Sequence, residues 1–147
     1  MKIEFLKTHE DAILPRKNHP NMQTGDAGFD LFATKEVKIE AFGSATVPVG
    51  LTLANIDPGY WFRIEPRSGL GFNKNLQPHL GVIDNGYRGD LAVKIYNFGT
   101  MDQVIEKGKG VAQFVVYKMA EVEVSWTDEV SEAERGEKGF GSSDEKN

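Results

Sequence analysis

Residues 81–90, GVIDNGYRGD, bring together side chains whose types and spacing suit the binding of a small ligand. The pair Asn85-Gly86 is the strongest short-range signal for a tight type I′ β-hairpin. In such a hairpin Asp84 ends one strand and Tyr87 begins the next, so a carboxylate and an aromatic ring converge at one mouth. We therefore expect a small pocket at this turn. A carboxylate that only caps the Asn-Gly turn is the alternative interpretation.

A second group of chemically useful residues lies near the end of the chain, in RGEKGFGSS at 135–143. The segment combines one Arg, one aromatic ring, flexible backbone donors and two hydroxyl groups, which are suitable ligands for phosphate and for a planar ring. It is not a Walker A loop, which requires GxxxxGKS or GxxxxGKT after a strand. By itself the segment is equally consistent with a solvated tail.

Short β-rich runs separated by turn signals have to position these two segments. The predicted strands are Lys2–Leu6, Phe29–Ala33, Val37–Ile39, Ala45–Leu53, Trp61–Glu65, Leu91–Tyr96, Val111–Tyr117 and Val122–Trp126. Within one of them Leu91, Val93 and Ile95 alternate with other residues, as expected of a strand with one buried face. Only Ser68–Lys74 resembles a short helix. The pattern predicts an all-β antiparallel sandwich or barrel.

The length and composition of the chain exclude several classes of function. The chain has 147 residues and no cysteine, which predicts one domain and excludes disulfides, thiolate zinc sites and cysteine nucleophiles. Its 22 acidic and 17 basic residues give a net charge of −5, which argues against a nucleic-acid partner. A small anion remains a possible ligand where a few cations are gathered with backbone N–H groups and a divalent cation.

The N-terminal sequence MKIEFLKTHEDA lacks the features of a signal peptide, and no window approaches the roughly 20 apolar residues of a membrane span. We expect a soluble intracellular, cytoplasmic protein without a membrane partner, located in the host-cell cytoplasm if its source is viral. Residues 1–127 are predicted to form a β-barrel core domain. Residues 128–147 are rich in Asp, Glu, Ser, Gly and Lys and are predicted to form a flexible C-terminal arm.

Taken together, five segments resemble the motifs of the trimeric dUTPase family, in order and at compatible spacing. They are AGFDLFA at 27–33, PRSGL at 66–70, GVIDNGYRGD at 81–90, GKGVAQF at 108–114 and RGEKGFGSS at 135–143. The resemblance implies a distorted jelly-roll, β-barrel-like fold with one short helix and a flexible tail. It also implies hydrolysis of dUTP to dUMP and pyrophosphate with Mg2+, by a homotrimer whose active sites are shared between chains.

The resemblance also assigns roles within the third motif. Asp84 would act as the general base that polarises the water attacking the α-phosphorus. Tyr87 would pack under the deoxyribose and exclude a ribose 2′-hydroxyl. Uracil would pair with the backbone of the preceding segment, whose rigid edge rejects cytosine. That segment consists of His79, Leu80, Gly81, Val82 and Ile83.

The phosphates would be bound by the second and fourth motifs. Arg67 supplies a guanidinium, Ser68 a hydroxyl and Gly69 a backbone amide, and a helix that begins at Ser68 would add partial positive charge. Gln113 would bond a phosphate oxygen or a metal-bound water. Asp30 would support the metal region through water or an Arg partner, and a purely structural salt bridge is the alternative. Mg2+ keeps several waters and prefers phosphate oxygens, so no carboxylate cage is expected.

The fifth motif would act as a lid. Arg135 would clamp the γ-phosphate and Phe140 would stack over uracil. The residues that would close on the phosphates are Gly141, Ser142 and Ser143. Closure of this kind excludes water and aligns the phosphate chain for attack.

The chain departs from the family pattern at three places. It reads QPHLG at 77–81, where a glycine-containing segment is frequent, which bears on the shape of the uracil edge. Gly110 stands where an Arg is usual in the fourth motif, and Lys138 replaces a common glycine in the fifth.

Two other functions fit parts of the pattern. A dCTP deaminase shares the fold and a similar hairpin but uses a Glu in the following strand as proton carrier, where this chain has Lys94. A non-catalytic, nucleotide-binding regulatory trimer is the other alternative. Such a binder has no need of a carboxylate like Asp84 beside a triphosphate, so the resemblance favours hydrolysis.

Overall fold

A computed structural model describes residues 1–141 and 143. Its described part contains ten strands and one short helix. The elements in chain order are β1 (Ile3–Lys7), β2 (Phe29–Phe32), β3 (Val37–Ile39), β4 (Ser44–Ile56), β5 (Tyr60–Glu65), α1 (Ser68–Lys74), β6 (Leu76–Pro78), β7 (Val82–Ile83), β8 (Asp90–Asn97), β9 (Gln103–Ile105) and β10 (Gly110–Lys118). The predicted all-β class with one short helix is confirmed.

Two four-stranded antiparallel sheets enclose the core. One has the order β1-β4-β8-β6 and the other β2-β10-β5-β7, while β3 and β9 form a small separate pair. The inward faces contribute a continuous apolar cluster, in which the rings of Phe29 and Phe114 stack with centroids 5.1 Å apart. The predicted alternation in β8 is present, because Leu91, Val93 and Ile95 are buried in this cluster.

Most of the predicted strands exist with shifted ends, and the helix has the predicted bounds. The pattern missed β6, β7 and β9, which are only two or three residues long and therefore too short to show a period. The predicted strand Val122–Trp126 is wrong. Its alternating side chains Val122, Val124 and Trp126 are 74%, 89% and 102% exposed, and no strand of the described residues pairs with them.

The predicted hairpin at Asn85-Gly86 is also wrong. β7 pairs with β5, whereas β8 pairs with β4 and β6, so the turn connects two different sheets. A type I′ turn requires positive φ at both central residues, and neither Asn85 nor Gly86 has it. The turn is instead closed by the Tyr87 N–H, which donates to the Asp84 carbonyl at 3.0 Å. We call residues 84–87 the Asp84 turn.

Candidate active site

Arg67 is the centre of the first group of functional side chains. It precedes α1, and its Nε lies 3.2 Å from Oδ1 of Asp30 on β2. Its Nη1 donates to the Gly110 carbonyl at 2.9 Å. The other carboxylate oxygen of Asp30 accepts a long 3.4 Å bond from the Asn18 amide. The Arg partner expected for Asp30 is therefore present, and the guanidinium has a fixed position at the start of the helix.

Gly110 is explained by this contact. A Cβ added there would lie 2.4 Å from Nη1 of Arg67, closer than packed atoms approach. Any larger residue at position 110 would have to displace the guanidinium or its own carbonyl. The departure from the family pattern thus leaves room for the bond between Arg67 and the backbone of β10.

Gln113 belongs to the same group because of strand register. On β10 it lies opposite Asp30 of β2 and Glu65 of β5, so the three side chains share one face of the sheet. Its Nε2 donates to the Pro66 carbonyl at 2.9 Å. A Cβ on Gly28 would lie only 2.2 Å from its Oε1, so glycine at that position leaves room for the amide. We call Asp30, Arg67, Gly110 and Gln113 the Arg67 cluster.

Three cavities meet at Arg67. The largest, of about 510 Å³, is lined by Pro66, Arg67, Ser68, Gly71, Phe72, Gln77 and Gln113. A second cavity, of about 250 Å³, is also lined by Gly69 and Lys74. A third, of about 380 Å³, is lined by the cations Lys74 and Lys109 beside Arg67. The structure therefore brings together the four residues of the second and fourth motifs that were predicted to bind phosphates, which are Arg67, Ser68, Gly69 and Gln113.

The Asp84 turn is held from two sides. Asn85 donates from Nδ2 to the carbonyls of Asp57 and Tyr60, each at 2.9 Å. Arg88 donates from Nη1 to the carbonyls of Asn85 and Tyr87, at 2.7 and 2.8 Å. The Asp84 carboxylate is exposed and has no hydrogen bond or ion pair within residues 1–141 and 143. It is thus a carboxylate with free oxygens on a fixed backbone.

Tyr87 has a defined orientation on this turn. Its hydroxyl donates to the Asp90 carbonyl at 3.0 Å. The ring lies against Gly89, where an added Cβ would be 2.5 Å from the phenolic oxygen. The aromatic side chain is therefore folded back along the start of β8, and Tyr87 remains 40% exposed.

The Arg67 cluster and the Asp84 turn lie at opposite ends of β5. The turn is bonded to Tyr60, the first residue of that strand, whereas Arg67 follows its last residue, Glu65. At about 3.3 Å per residue the strand separates them by roughly 17 Å. The two predicted halves of the active site are thus not brought together within one chain.

The predicted uracil edge crosses from one sheet to the other. The His79 N–H donates to the Lys94 carbonyl at 2.8 Å, and the Gly81 carbonyl accepts from the Ile64 N–H at 2.9 Å. Val82 and Ile83 then form β7 beside β5. Both ends of the segment are therefore fixed in ladders, and the exposed Leu80 lies between them.

Among the described residues of the fifth motif, the predicted site residues have no hydrogen bond or ion pair to either group. Arg135, Phe140, Gly141 and Ser143 are exposed, and the Arg135 guanidinium bonds only the Gly139 carbonyl close by in the chain. Ser142 lies outside the described residues. The predicted roles of these residues remain predictions.

No group of three or more His, Asp or Glu side chains in the described part of the chain is arranged to hold a metal ion. Among the same residues, no helix has the length and apolar character needed to cross a membrane.

Comparison with known protein families shows which family this chain belongs to. A family model described as dUTPase matches residues 13–144. The chain belongs to the dUTPase family. Its relatives include deoxyuridine 5′-triphosphate nucleotidohydrolases of Solanum lycopersicum, 37% identical over 136 residues (92% of this chain, 78% of the relative), and of Wolinella succinogenes, 36% identical over 144 residues (97% and 93%).

Solved dUTPase structures agree with this assignment. A variant of the Staphylococcus bacteriophage 80alpha dUTPase, bound to dUpNHpp, matches with a TM-score of 0.86 and 28% identity over 97% of this chain and 98% of that one. A dUTPase from phage phi11 of S. aureus shares the fold at 23% identity, with a TM-score of 0.79 over 90% of this chain and all of that one, and coordinates a structural Mg(II) ion. The expected dUTPase-like fold is confirmed.

Sequence reasoning missed several residues that shape this dUTPase-family site. Glu65 lies beside Gln113 and accepts bonds from Arg63 at 2.7 Å and from the Tyr117 hydroxyl at 3.1 Å. The bond to Glu65 raises the pKa of Arg63 above its usual value. Only strand register, which the sequence does not reveal, places these side chains beside the Arg67 cluster.

The loop before the first motif was missed as well. The Asp26 carboxylate accepts hydrogen bonds from the backbone N–H groups of His19 and Asn18 at 2.9 and 3.1 Å. It also bonds the His19 ring nitrogen Nδ1 at 3.1 Å. These bonds, led by the His19 backbone, lower the pKa of Asp26 despite partial desolvation. Because Asn18 also bonds Asp30, the loop is connected to the Arg67 cluster.

Proposed function

We propose that this protein hydrolyses dUTP to dUMP and pyrophosphate. The observation that carries the proposal is the carboxylate of Asp84 on a fixed turn, which no described residue bonds, in a chain whose relatives are named for this activity. A carboxylate without a protein partner is available to hold a water molecule. An aromatic ring on the same turn, Tyr87, is available to the sugar of the same nucleotide.

In the proposed reaction Asp84 accepts a proton from water as the water oxygen bonds to the α-phosphorus. The bond between that phosphorus and the oxygen bridging to the β-phosphate breaks, and its electron pair leaves with pyrophosphate. Bound Mg2+ would neutralise charge on the phosphate chain. Asp30 and Gln113 are the residues proposed to support it, through water, since the carboxylate of Asp30 is bonded to Arg67.

The phosphate chain is assigned to the cavities around Arg67. The guanidinium retains donors beyond its bonds to Asp30 and Gly110, because it has five N–H groups. A Cβ at Gly69 would meet no atom within 4 Å, so packing within the chain gives no reason for glycine there. Close approach of a phosphate to the backbone of residue 69 would explain the glycine.

We assign the complete site to a homotrimer with shared active sites. A single chain holds Asp84 roughly 17 Å of strand away from Arg67, farther than the α-phosphorus of one nucleotide lies from its other phosphates. A neighbouring copy can bring its own Asp84 turn to this chain's Arg67 cluster. The exposed apolar side chains of Val122, Val124 and Trp126 also favour contact of the segment before the arm with another copy.

The arm then carries the fifth motif to a neighbouring site, where Arg135 would clamp the γ-phosphate and Phe140 would stack on uracil. A lone ring that is fully exposed in the single chain is suited to this role. A chain that stops at Glu134 is expected to fold normally and lose most of its activity, measured as pyrophosphate release. Full activity of that truncated chain would contradict the lid.

The deciding experiment compares pyrophosphate release from dUTP, dCTP, dTTP and UTP in the presence of Mg2+. We expect rapid release from dUTP alone. Lys94 lies over the Tyr96 ring, 5.5 Å from its centroid, where a deaminase would need a carboxylate. Release of ammonia from dCTP would therefore overturn the proposal, and tight binding of dUTP without turnover would favour a regulatory trimer.

A further inference from the structure

The Asp84 turn has few backbone restraints of its own. It connects strands of different sheets, so no ladder runs beside it, and one bond from the Tyr87 N–H to the Asp84 carbonyl closes it. The side chain of Asp84 is exposed, and none of the described residues bonds it. The direction of its carboxylate therefore depends on whatever fixes the neighbouring backbone.

Asn85 provides the restraint on the inner side. Its half-buried amide donates both N–H groups, one to the Asp57 carbonyl and one to the Tyr60 carbonyl, each at 2.9 Å. The accepting segment is itself anchored, because Asp57 exchanges bonds with Lys2 at the start of β1, at 3.0 and 3.2 Å. The side chain thus connects the turn to a rigid corner of the sandwich.

Arg88 provides the restraint on the outer side. Its Nη1 bridges the carbonyls of Asn85 and Tyr87 on the exposed side of the turn. Charged donors make stronger hydrogen bonds than neutral ones. Together the side chains of Asn85 and Arg88 make four hydrogen bonds that restrain the turn. Only one backbone hydrogen bond closes the turn itself.

We propose that Asn85 and Arg88 are positioning residues that set the direction of the Asp84 carboxylate and the Tyr87 ring. The inference rests on the proposed function, because it matters only if Asp84 holds the attacking water. A base that is displaced by about 1 Å loses much of its catalytic advantage, even when the substrate still binds. The two residues are therefore expected to affect turnover more than affinity.

The main test replaces Asn85 in two ways. Asn85→Asp keeps the shape but turns both donors into acceptors that face two carbonyls, and Asn85→Ala removes the group. We expect kcat for dUTP to fall by about 10- to 100-fold, with KM changed by less than about 3-fold. Discrimination of dUTP against UTP should fall as well, because Tyr87 shares the turn.

Asn55→Ala is the matched control. Asn55 is an exposed amide near the end of β4, close in sequence to Asp57, and its Nδ2 donates to Glu4 at 3.2 Å. Its loss should leave kcat and sugar discrimination unchanged. If Asn85→Ala were no more impaired than this control, with thermal melting confirming that both are folded, the inference would be wrong.

Arg88 gives a second, independent test. Arg88→Ala should lower kcat and speed hydrogen exchange of the Tyr87 amide, whereas Arg88→Lys should recover part of both, since an ammonium can still donate to one carbonyl. Wild-type kcat in Arg88→Ala and Asn85→Ala would overturn the inference, and so would equal losses of kcat in Arg88→Ala and Arg88→Lys.

Failure of the underlying function has a different signature. Wild-type protein that released no pyrophosphate from dUTP would refute the proposed function itself. Active wild-type protein with unimpaired Asn85 and Arg88 variants would refute only the positioning role. If Asn85→Asp did not fold, the alanine variants would still decide the question by the same kcat and exchange measurements.

Discussion

The Arg67 cluster and the Asp84 turn differ in what holds their side chains in place. Register across β2, β10 and β5 sets Asp30 and Gln113 side by side, and this register is fixed by the apolar faces packed beneath. The Asp84 turn lies between two sheets and depends on side-chain bonds to backbone carbonyls. One half of the site follows from the fold, and the other from a few polar contacts.

This difference bears on how the two halves can evolve and assemble. The cluster set by register has no space for added side-chain atoms at Gly28 and Gly110, because a Cβ there would collide with Gln113 or Arg67. A turn that presents a free carboxylate at the surface can serve a neighbouring molecule. The separation of the Arg67 cluster from the Asp84 turn agrees with the proposal that each site is completed between copies of the chain.

The largest effect is expected at the free carboxylate. Asp84→Asn keeps the size of the side chain but removes the proton acceptor, so turnover should fall by about two to four orders of magnitude. Binding of dUpNHpp, measured by calorimetry, should change little. Near-normal turnover would show that the turn does not carry the base.

A mixing experiment tests whether the two halves come from different chains. Asp84→Asn and Arg67→Ala should each be nearly inactive, because each lacks one half. If the chains are unfolded together and refolded as mixed trimers, roughly one quarter of the sites will pair an intact turn with an intact cluster. Pyrophosphate release should recover accordingly, whereas a site within one chain would show no recovery.

The contrast between the halves also explains what the sequence predicted well. The motifs predicted that Arg67, Ser68, Gly69 and Gln113 belong to one site, and the structure places them together. An Arg partner was one of the two supports expected for Asp30, and α1 has its predicted bounds. The Asp84 turn was given the wrong geometry. The partners of Asn85 lie 25 and 28 positions earlier in the chain, so a local Asn-Gly signal could not reveal them.

The failed strand at Val122–Trp126 has a related cause. Its alternation is typical of a half-buried strand, yet no part of the described chain covers its apolar side chains. Periodicity reports that a face is apolar but not which molecule covers it. The same limit applies to Phe140 in the arm.

A smaller effect is expected within the Arg67 cluster. Gly28→Ala would put a methyl group within 2.2 Å of the Gln113 amide oxygen, so the amide must rotate away from Pro66. Strain of this kind costs about 1–3 kcal/mol of the free energy of unfolding. We expect lower thermal stability and a higher KM for dUTP. Unchanged values of both would mean that Gln113 adapts without loss.

The smallest effect concerns pH and the loop that precedes β2. Bonds from the His19 backbone lower the pKa of Asp26 below its ordinary value of 3.8, so their stabilising effect is present above that value. It is lost as pH falls through the lower pKa of the folded state, where the carboxylate takes up a proton. The difference in melting temperature between wild-type protein and Asp26→Asn should therefore be largest near neutral pH and shrink in acid. A difference that stayed constant from pH 7 into acid would mean that the Asp26 charge does not stabilise the loop.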